Sequence, residues 1–540
     1  MIKKIIITLI LFYAANLWCN NEYVPVSNPV YLYLIRMEAS GFLSNFSTSN
    51  LPLQKKEIIE ALKKLQQKSD NLSNNEKKIL DKFLQEFEIT SNQNAVIFYS
   101  ESDSIQLISN EIFSDKEKFI YHYKDLANDV NLVPLANIEF LTRKNDNVAL
   151  GNLGFRFYGS LGEHFGYYLQ ATNGIVLDGS RNLALNEIHK LKQNVKFADL
   201  NSDFDFSESH IIFNYDWFIA SIGRQTRLMG SGINEKLFLS ANSPAQDNIS
   251  LQAKFEKFEY QYSHSSLLAT DQAKVIAGFN SEFPSKYLVT HRAALKPFWG
   301  EISLWEALIY SKRGIDLAYL NPLSFFKSLE HALHDRDNSL MGADITLRPF
   351  QRLQLKGSFI LDDIKFEEIG QQFWSNKTAW NLGATYVFPF DIDLGIEYSR
   401  VEPYTFSHFD SVNSYTNDGF LIGTSLLPNS DEISLIINYW INQRYPVTIQ
   451  LNYLRHGENI YDENGNLIKN VGGDPFQTRR PQDPEQVRFL DGDLKETFIV
   501  KFTAGYEIFR RFNIKLLYKL NINGFEKGNV FHISFNFEDF

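Results

Sequence analysis

Cysteine is nearly absent from this chain. Its 540 residues contain one, Cys19, so no disulfide framework and no cysteine-based zinc site can be built. That suits a protein that crosses an oxidising compartment before it folds. Long apolar runs are missing beyond the first residues, and no later segment approaches the roughly 18 apolar residues of a helical membrane span. An excess of positive charge is also missing. Lys and Arg number 53 against 64 Asp and Glu, a net charge of −11, and no basic stripe exists, which excludes nucleic acid as a partner. The chain has no phosphate-binding loop of the G-x-x-x-x-G-K-[ST] form, no G-x-S-x-G elbow and no fixed-period repeat. No cofactor is implied, and a hydrolase reading has no nucleophile signature behind it.

The single long apolar run lies at the N-terminus. Lys3 and Lys4 precede Ile5 to Tyr13, an apolar stretch too short to span a bilayer comfortably, and Ala14, Ala15 and Asn16 follow. This is the layout of a secretory signal, expected over residues 1–19. Cleavage near Cys19 by an ordinary signal peptidase is the reading taken. Lipidation at Cys19 is the alternative, and the bulky Trp18 just before it fits that poorly. Losing the two lysines takes the net charge to −13.

What is abundant is aromatic. Phe numbers 45 and Tyr 26, and 14% of the chain is aromatic, yet mean hydropathy is only −0.25. That combination is odd for a helical membrane protein and normal for a barrel with a polar lumen. From Leu135 onward, apolar and polar residues alternate with period two. Leu153, Phe155 and Phe157 stand opposite Asn152, Gly154 and Arg156. Val447, Ile449, Leu451 and Tyr453 stand opposite Thr448, Gln450 and Asn452. Phe531, Ile533, Phe535 and Phe537 stand opposite His532, Ser534 and Asn536. In a bilayer every backbone group must be paired, so such strands close into a barrel. At about 10 residues per strand plus connections, the remaining length gives roughly 16–18 strands. A large soluble β-sandwich is the alternative, but soluble sheets rarely carry so many aromatics on one face. Phe540 matches the usual last residue of outer-membrane barrels, although Glu538 breaks the alternation counted back from it.

The expected organisation is a signal peptide over 1–19, a helical bundle over 20–90, a connection over 91–134 and the barrel over 135–540. Pro29 to Ser40 carries Val30, Leu34 and Met37 at helical spacing. Leu51-Pro52 opens a second helix with Ile58, Ile59, Leu62 and Leu65. Ser73 and Glu76 form a capping box ahead of Ile79, Leu80, Phe83 and Phe87. These stripes read first as structural packing, with partner binding as the alternative. Phe119, Tyr121 and Tyr123 start an alternation that the first barrel strand could use.

Several segments stand out as candidate sites. Between Ile222 and Ser240, glycines at 223, 230 and 232 interrupt a strand pattern and flank Arg224 and Arg227. These arginines could pair with lumen carboxylates or bind an anionic sugar. The insertion from Tyr319 to about Leu340 holds Glu330, His331, His334, Asp335 and Asp337. It reads as a solvated or lumen-facing hydrogen-bond network, with a metal held by His331 and His334 as the alternative. Asp462 to Asn466 resembles part of a calcium loop but lacks its closing glutamate, and an Asn-Gly turn explains it better. The longest polar loop, Val471 to Leu490, carries Arg479, Arg480 and Arg488, and long barrel loops normally face outward.

The chain resembles the capsule assembly Wzi family of outer-membrane barrels. The resemblance rests on Val24-Pro25, Pro29-Val30-Tyr31 and Gly41, then on the Leu51-Pro52-Leu53 and Leu72-Ser73 helix starts. It continues through Gly223-Arg224, Gly230-x-Gly232 and Leu239-Ser240, with Met229 where the family pattern has Trp. Tyr310, Tyr319-Leu320-Asn321-Pro322, Glu330, Asp337-Asn338 and Gly342 follow. Glu397-Tyr398, Glu402-Pro403-Tyr404-Thr405 and Arg455-His456-Gly457 complete it. The resemblance implies an 18-stranded barrel with an N-terminal helical bundle, and a role in attaching or organising capsular polysaccharide at the cell surface. The expectation is thus a monomeric transmembrane antiparallel β-barrel of the bacterial outer membrane, acting without catalysis. Its partners are membrane lipid and surface polysaccharide, the latter met by Arg479, Arg480, Arg488, Arg455 and His456. Arg224, Arg227, Glu330, His331, His334 and Asp337 form a candidate lumen network. A porin-like channel is the alternative, and an outer-membrane hydrolase a third.

Overall fold

The computed structural model describes residues 20–88, 95–98, 111–198, 201–269, 284–441, 444–523 and 528–540; the expected signal segment lies outside them. Eighteen antiparallel strands close into a barrel, from Asn128–Arg143 to Gly528–Phe537. The seam pairs Phe537 with Ala136 and Phe531 with Thr142. The short strand Tyr121–Lys124 continues the same edge, pairing Tyr121 with Leu132. The alternating residues around Tyr121 thus extend the seam. The first full strand begins at Asn128, ahead of Leu135; its inner face carries the polar Asp129 and Asn131 but also the apolar Val133 and Leu135, all buried, and this blurs the alternation.

The two ends differ. At one, strands are joined by turns such as 162–164, 216–217, 351–352 and 510–511; at the other, long connections run over 180–202, 226–245, 312–337, 402–429 and 459–492. The outer face is apolar at mid-strand, with Phe140, Leu153, Ile222, Leu304, Leu382 and Ile433 exposed, whereas the facing polar residues are buried inside. No helix among the described residues is long and apolar enough to cross a membrane; the exposed apolar band is carried by the strands.

Three helices close the short-turn end: α1 (Val30–Ala39), α2 (Lys55–Gln67) and α3 (Asn74–Phe87). Their apolar stripes, including Leu34, Met37, Ile58, Leu62, Ile79 and Phe83, form one core with Trp440 of a short turn. The Ser73–Glu76 capping box forms, with Ser73 Oγ accepting from the Glu76 N–H at 3.1 Å and the Glu76 carboxylate accepting from the Ser73 N–H at 2.7 Å. Glu76 also takes the Arg36 guanidinium at 3.0 Å, and Arg36 continues to Asp393 on the wall.

Candidate functional site

The lumen is filled from both ends. The strand Phe218–Gln225 stops after eight residues, and the chain leaves the wall and turns inward. Arg227 donates to Ser263 and Ser265 on the lumen side of a nearby strand, at 2.9 and 3.0 Å. Leu228 and Met229 then pair with Leu51 and Asn50, which joins this inward loop to the helical plug. Glu397 on the wall receives the backbone N–H groups of Ile233, Asn234 and Glu235. Such a cage of amides suits a carboxylate. Gly232 is required because a Cβ there would lie 1.6 Å from the Glu235 carbonyl oxygen. Burial pushes the Lys236 ammonium down to about 8, while it donates to the carbonyls of Gly230 and Gly232.

The connection 402–429 seals this loop from the other side. Glu235 accepts from Thr424 Oγ1 and from the Ser425 N–H and Oγ, at 2.6–2.8 Å. Tyr415 donates to the Phe238 carbonyl at 2.7 Å. Phe238 stacks flat on Trp305 with ring centroids 4.0 Å apart. A second space, a cavity of 910 Å³, persists beside this plug, between Pro25–Ser27 with Phe540 and the 180–202 loop; Tyr168, Gln170, Lys190 and Glu208 line it.

At the long-loop end, on the outward side of the wall where Arg400 follows the exposed Ile396, the loops form a cavity of 310 Å³ lined by Phe373, Trp374, Arg400, Glu402 and Phe489. Arg400 lies 3.6 Å over the Phe489 ring, and its Nε donates to Glu402 at 2.6 Å. Arg479 stands 5.6 Å from the Trp374 ring centroid and Lys365 4.7 Å from that of Phe373. Aromatic walls beside paired charged groups offer an apolar ring face together with hydrogen-bond donors and acceptors.

The residues singled out from sequence scatter. None of the three loop arginines lines this cavity; Arg479 stands against its Trp374 wall, and Arg488 falls between its lining residues Val487 and Phe489. Arg480 is spent on Asp483 and on the carbonyls of Leu467 and Ile468, and Arg488 is exposed. Arg455 forms a two-point pair with Asp431, at 2.9 and 2.6 Å. His456 Nδ1 is 2.8 Å from Ser430 Oγ. The expected lumen network does not assemble. Arg227 enters the lumen but meets neutral groups, whereas Arg224 pairs with an exposed Asp247. Glu330, His331 and Asp337 belong to an insertion outside the wall. Glu330, His331 and Asp335 bring ligand atoms within 4.8 Å of one another, but Glu330 is engaged by Ser339 and Lys327 and His334 takes no part. Asp462 to Asn466 is a hairpin turn, with Asp462 accepting from the Asn464 and Asn466 N–H groups. Phe540 does not end the last strand on the outer face. That strand ends at Phe537, Glu538 turns the chain with φ +70°, and Asp539 is buried inside. Sequence reasoning missed Phe373, Trp374, Arg400 and Phe489; the only local signal was two adjacent aromatics in a polar loop.

No family model matches the chain, and no curated protein matches it in sequence. Among solved structures it is similar to Wzi, described as an outer membrane protein involved in group 1 capsule assembly in Escherichia coli and a carbohydrate-binding β-barrel. That match has 12% identity and a TM-score of 0.58, and covers 95% of this chain and 98% of Wzi. A BenF-like porin from Pseudomonas fluorescens aligns at 10% identity and a TM-score of 0.43, covering 76% and 97% of the two chains. OprD from Pseudomonas aeruginosa aligns at 12% identity and a TM-score of 0.40, covering 75% and 94%. The likeness to Wzi establishes the fold over nearly the whole chain: a closed 18-stranded barrel of the outer-membrane type.

Proposed function

We propose that this protein is a bacterial outer-membrane barrel that attaches or organises surface polysaccharide through its long-loop end, without catalysis. One observation carries the reading: the lumen is occupied by the helical plug and two inward loops, while an aromatic cavity of sugar size opens among the long loops. An apolar sugar face stacks on the Trp374 and Phe373 walls, and hydroxyls meet the Arg400–Glu402 pair. Net charge is negative, so bulk attraction does not draw an acidic polymer, and local arginines do that work. The carbohydrate binding described for Wzi supports the same reading. The test is surface-polymer retention in a strain lacking the chain. Polymer still made but shed into the medium supports attachment, and unchanged cell-bound polymer sinks it. The channel reading draws on the 910 Å³ cavity beside the plug. Steady ion conductance by the purified protein in planar bilayers would favour it.

A further inference from the structure

The insertion 312–337 does not cover the barrel mouth. It descends the outer wall. Alternation sets the outer face here: Ser263 and Ser265 bind Arg227 inside, so Tyr260, Tyr262 and His264 point out. By the same count, Arg292 reaches Ser49 inside and His291 points out, and Trp305 stacks inside while Glu306 points out. The insertion touches these outward groups in descending order. Tyr310, itself held by His264 at 2.8 Å, accepts from the Asp316 N–H. Tyr262 donates to the Tyr319 carbonyl at 2.7 Å, and Tyr260 donates to the Pro322 carbonyl. Tyr260 is the third residue of the strand Phe258–Leu267, counted from the short-turn end. Leu267 lies seven steps further along, which on a tilted strand is roughly 18 Å of depth. The apolar band of such a barrel is about 25 Å tall, so the insertion passes its middle.

The chain then returns. Phe326 stacks on His291 with centroids 4.4 Å apart, and its N–H donates to Glu306 at 3.0 Å. Glu306 also pairs with His291 at 2.6 Å. At the top, Asp337 ties the loop shut, accepting from Arg313 at 2.6 Å and from Tyr319 at 2.6 Å. The inner side of the insertion therefore covers a polar Tyr260–His291–Glu306 network that would be costly against lipid. Its other side is mostly apolar and uncovered: Leu317 is 81% exposed and Leu323 82%, with Ile315, Leu320 and Phe325 also exposed, while the exposed Asn321 turns its Oδ1 back to accept from the Leu323 N–H. The strands beneath it expose apolar residues of the belt as well, Phe258, Leu295 and Leu304.

We propose that residues 315–326 form a flap embedded in the bilayer, which seals the polar network on one side and binds outer-leaflet acyl chains on the other. The proposal rests on the barrel spanning a membrane and is independent of the polymer reading. The test uses single-thiol chains in a Cys19→Ser background, labelled with an environment-sensitive fluorophore and reconstituted in phosphatidylcholine vesicles. The label sites are Leu323→Cys on the flap, Leu382→Cys on the belt and Arg488→Cys on a long loop. Nitroxides carried on the acyl chains should remove most of the emission at 323 and 382 and little at 488, and aqueous iodide should do the reverse. If 382 is quenched by lipid but 323 by iodide, the flap lies in water and the proposal is wrong. If 382 is itself quenched by iodide, the membrane reading fails and takes the flap with it. Should Leu323→Cys fail to fold, Leu317→Cys answers the same question.

Discussion

The two ends of the barrel are closed by different chemistry. The short-turn end is locked by buried charge. Glu86 of α3 meets Arg510 at 3.3 Å, Arg444 at 3.6 Å and Arg511 at 3.7 Å; Arg511 reaches Glu538 at 2.6 Å, and Arg156 reaches the same Glu538 at 2.7 Å. The long-loop end is closed by backbone amides on carboxylates and by stacked rings, with few ion pairs in its centre. Buried charge holds a rigid helical body in one register but punishes the loss of any partner. Amide cages and ring stacks instead fold irregular loops around each other, and leave the rim free to carry a site.

The comparison breaks most strongly at the charged end. Arg510→Ala together with Arg511→Ala leaves Glu86, and the buried Glu117 that both arginines also pair with, buried and under-paired, at a cost of about 3–5 kcal/mol or more. The expected result is a loosened plug and new ion conductance in planar bilayers; a protein that stays closed would show that the apolar core alone holds the helices. At the other end, Phe238→Ala removes a fully buried ring from its stack on Trp305 and should cost about 3–5 kcal/mol in thermal unfolding. The 226–245 loop should become protease-sensitive while the helices stay protected.

The ends should also separate on acidification. Burial alone would raise the Glu86 carboxyl, but Arg444, Arg510 and Arg511 hold it down at about 2, against an ordinary 4.5. A carboxyl depressed in the folded state stabilises that state above its unfolded pKa, and the contribution fades as pH falls from about 4.5 toward 2. Hydrogen exchange in α3 should therefore rise over that window before exchange at Phe238 does. Smaller effects lie at the rim. Trp374→Ala should weaken binding of the isolated surface polymer roughly tenfold, about 1.4 kcal/mol, in titration calorimetry. Arg488→Ala, an exposed side chain, should change stability by no more than about 0.5 kcal/mol and polymer binding less than Trp374→Ala does.

The barrel was legible because alternation is local. Leu153 and Asn152, or Ile449 and Gln450, report their faces without reference to the rest of the chain. The helices were legible for the same reason, through the stripes at Ile58, Leu62, Ile79 and Phe83 and the Ser73–Glu76 cap. The candidate site was hardly legible. Phe373, Arg400 and Phe489 lie in three segments far apart in sequence, and only the closed barrel brings them to one rim. Arg227 and Arg224 looked alike as neighbours of the same glycines, yet one side of a strand end faces the lumen and the other does not.

By itself, then, the amino-acid order determined the closed antiparallel barrel and the apolar stripes of the helices that precede it, since both are written in short-range periodicity. Tertiary structure decided the rest: that the helices sit inside the short-turn end, that the glycine-interrupted stretch crosses the lumen, and that the Tyr319–Pro322 stretch runs down the outer wall. The physical reason is that each of those placements depends on partners far away in the chain, Glu86 with Arg510, Glu235 with Ser425 or Tyr319 with Tyr262, and burial, charge pairing and hydrogen bonding between such groups exist only once the chain has closed on itself.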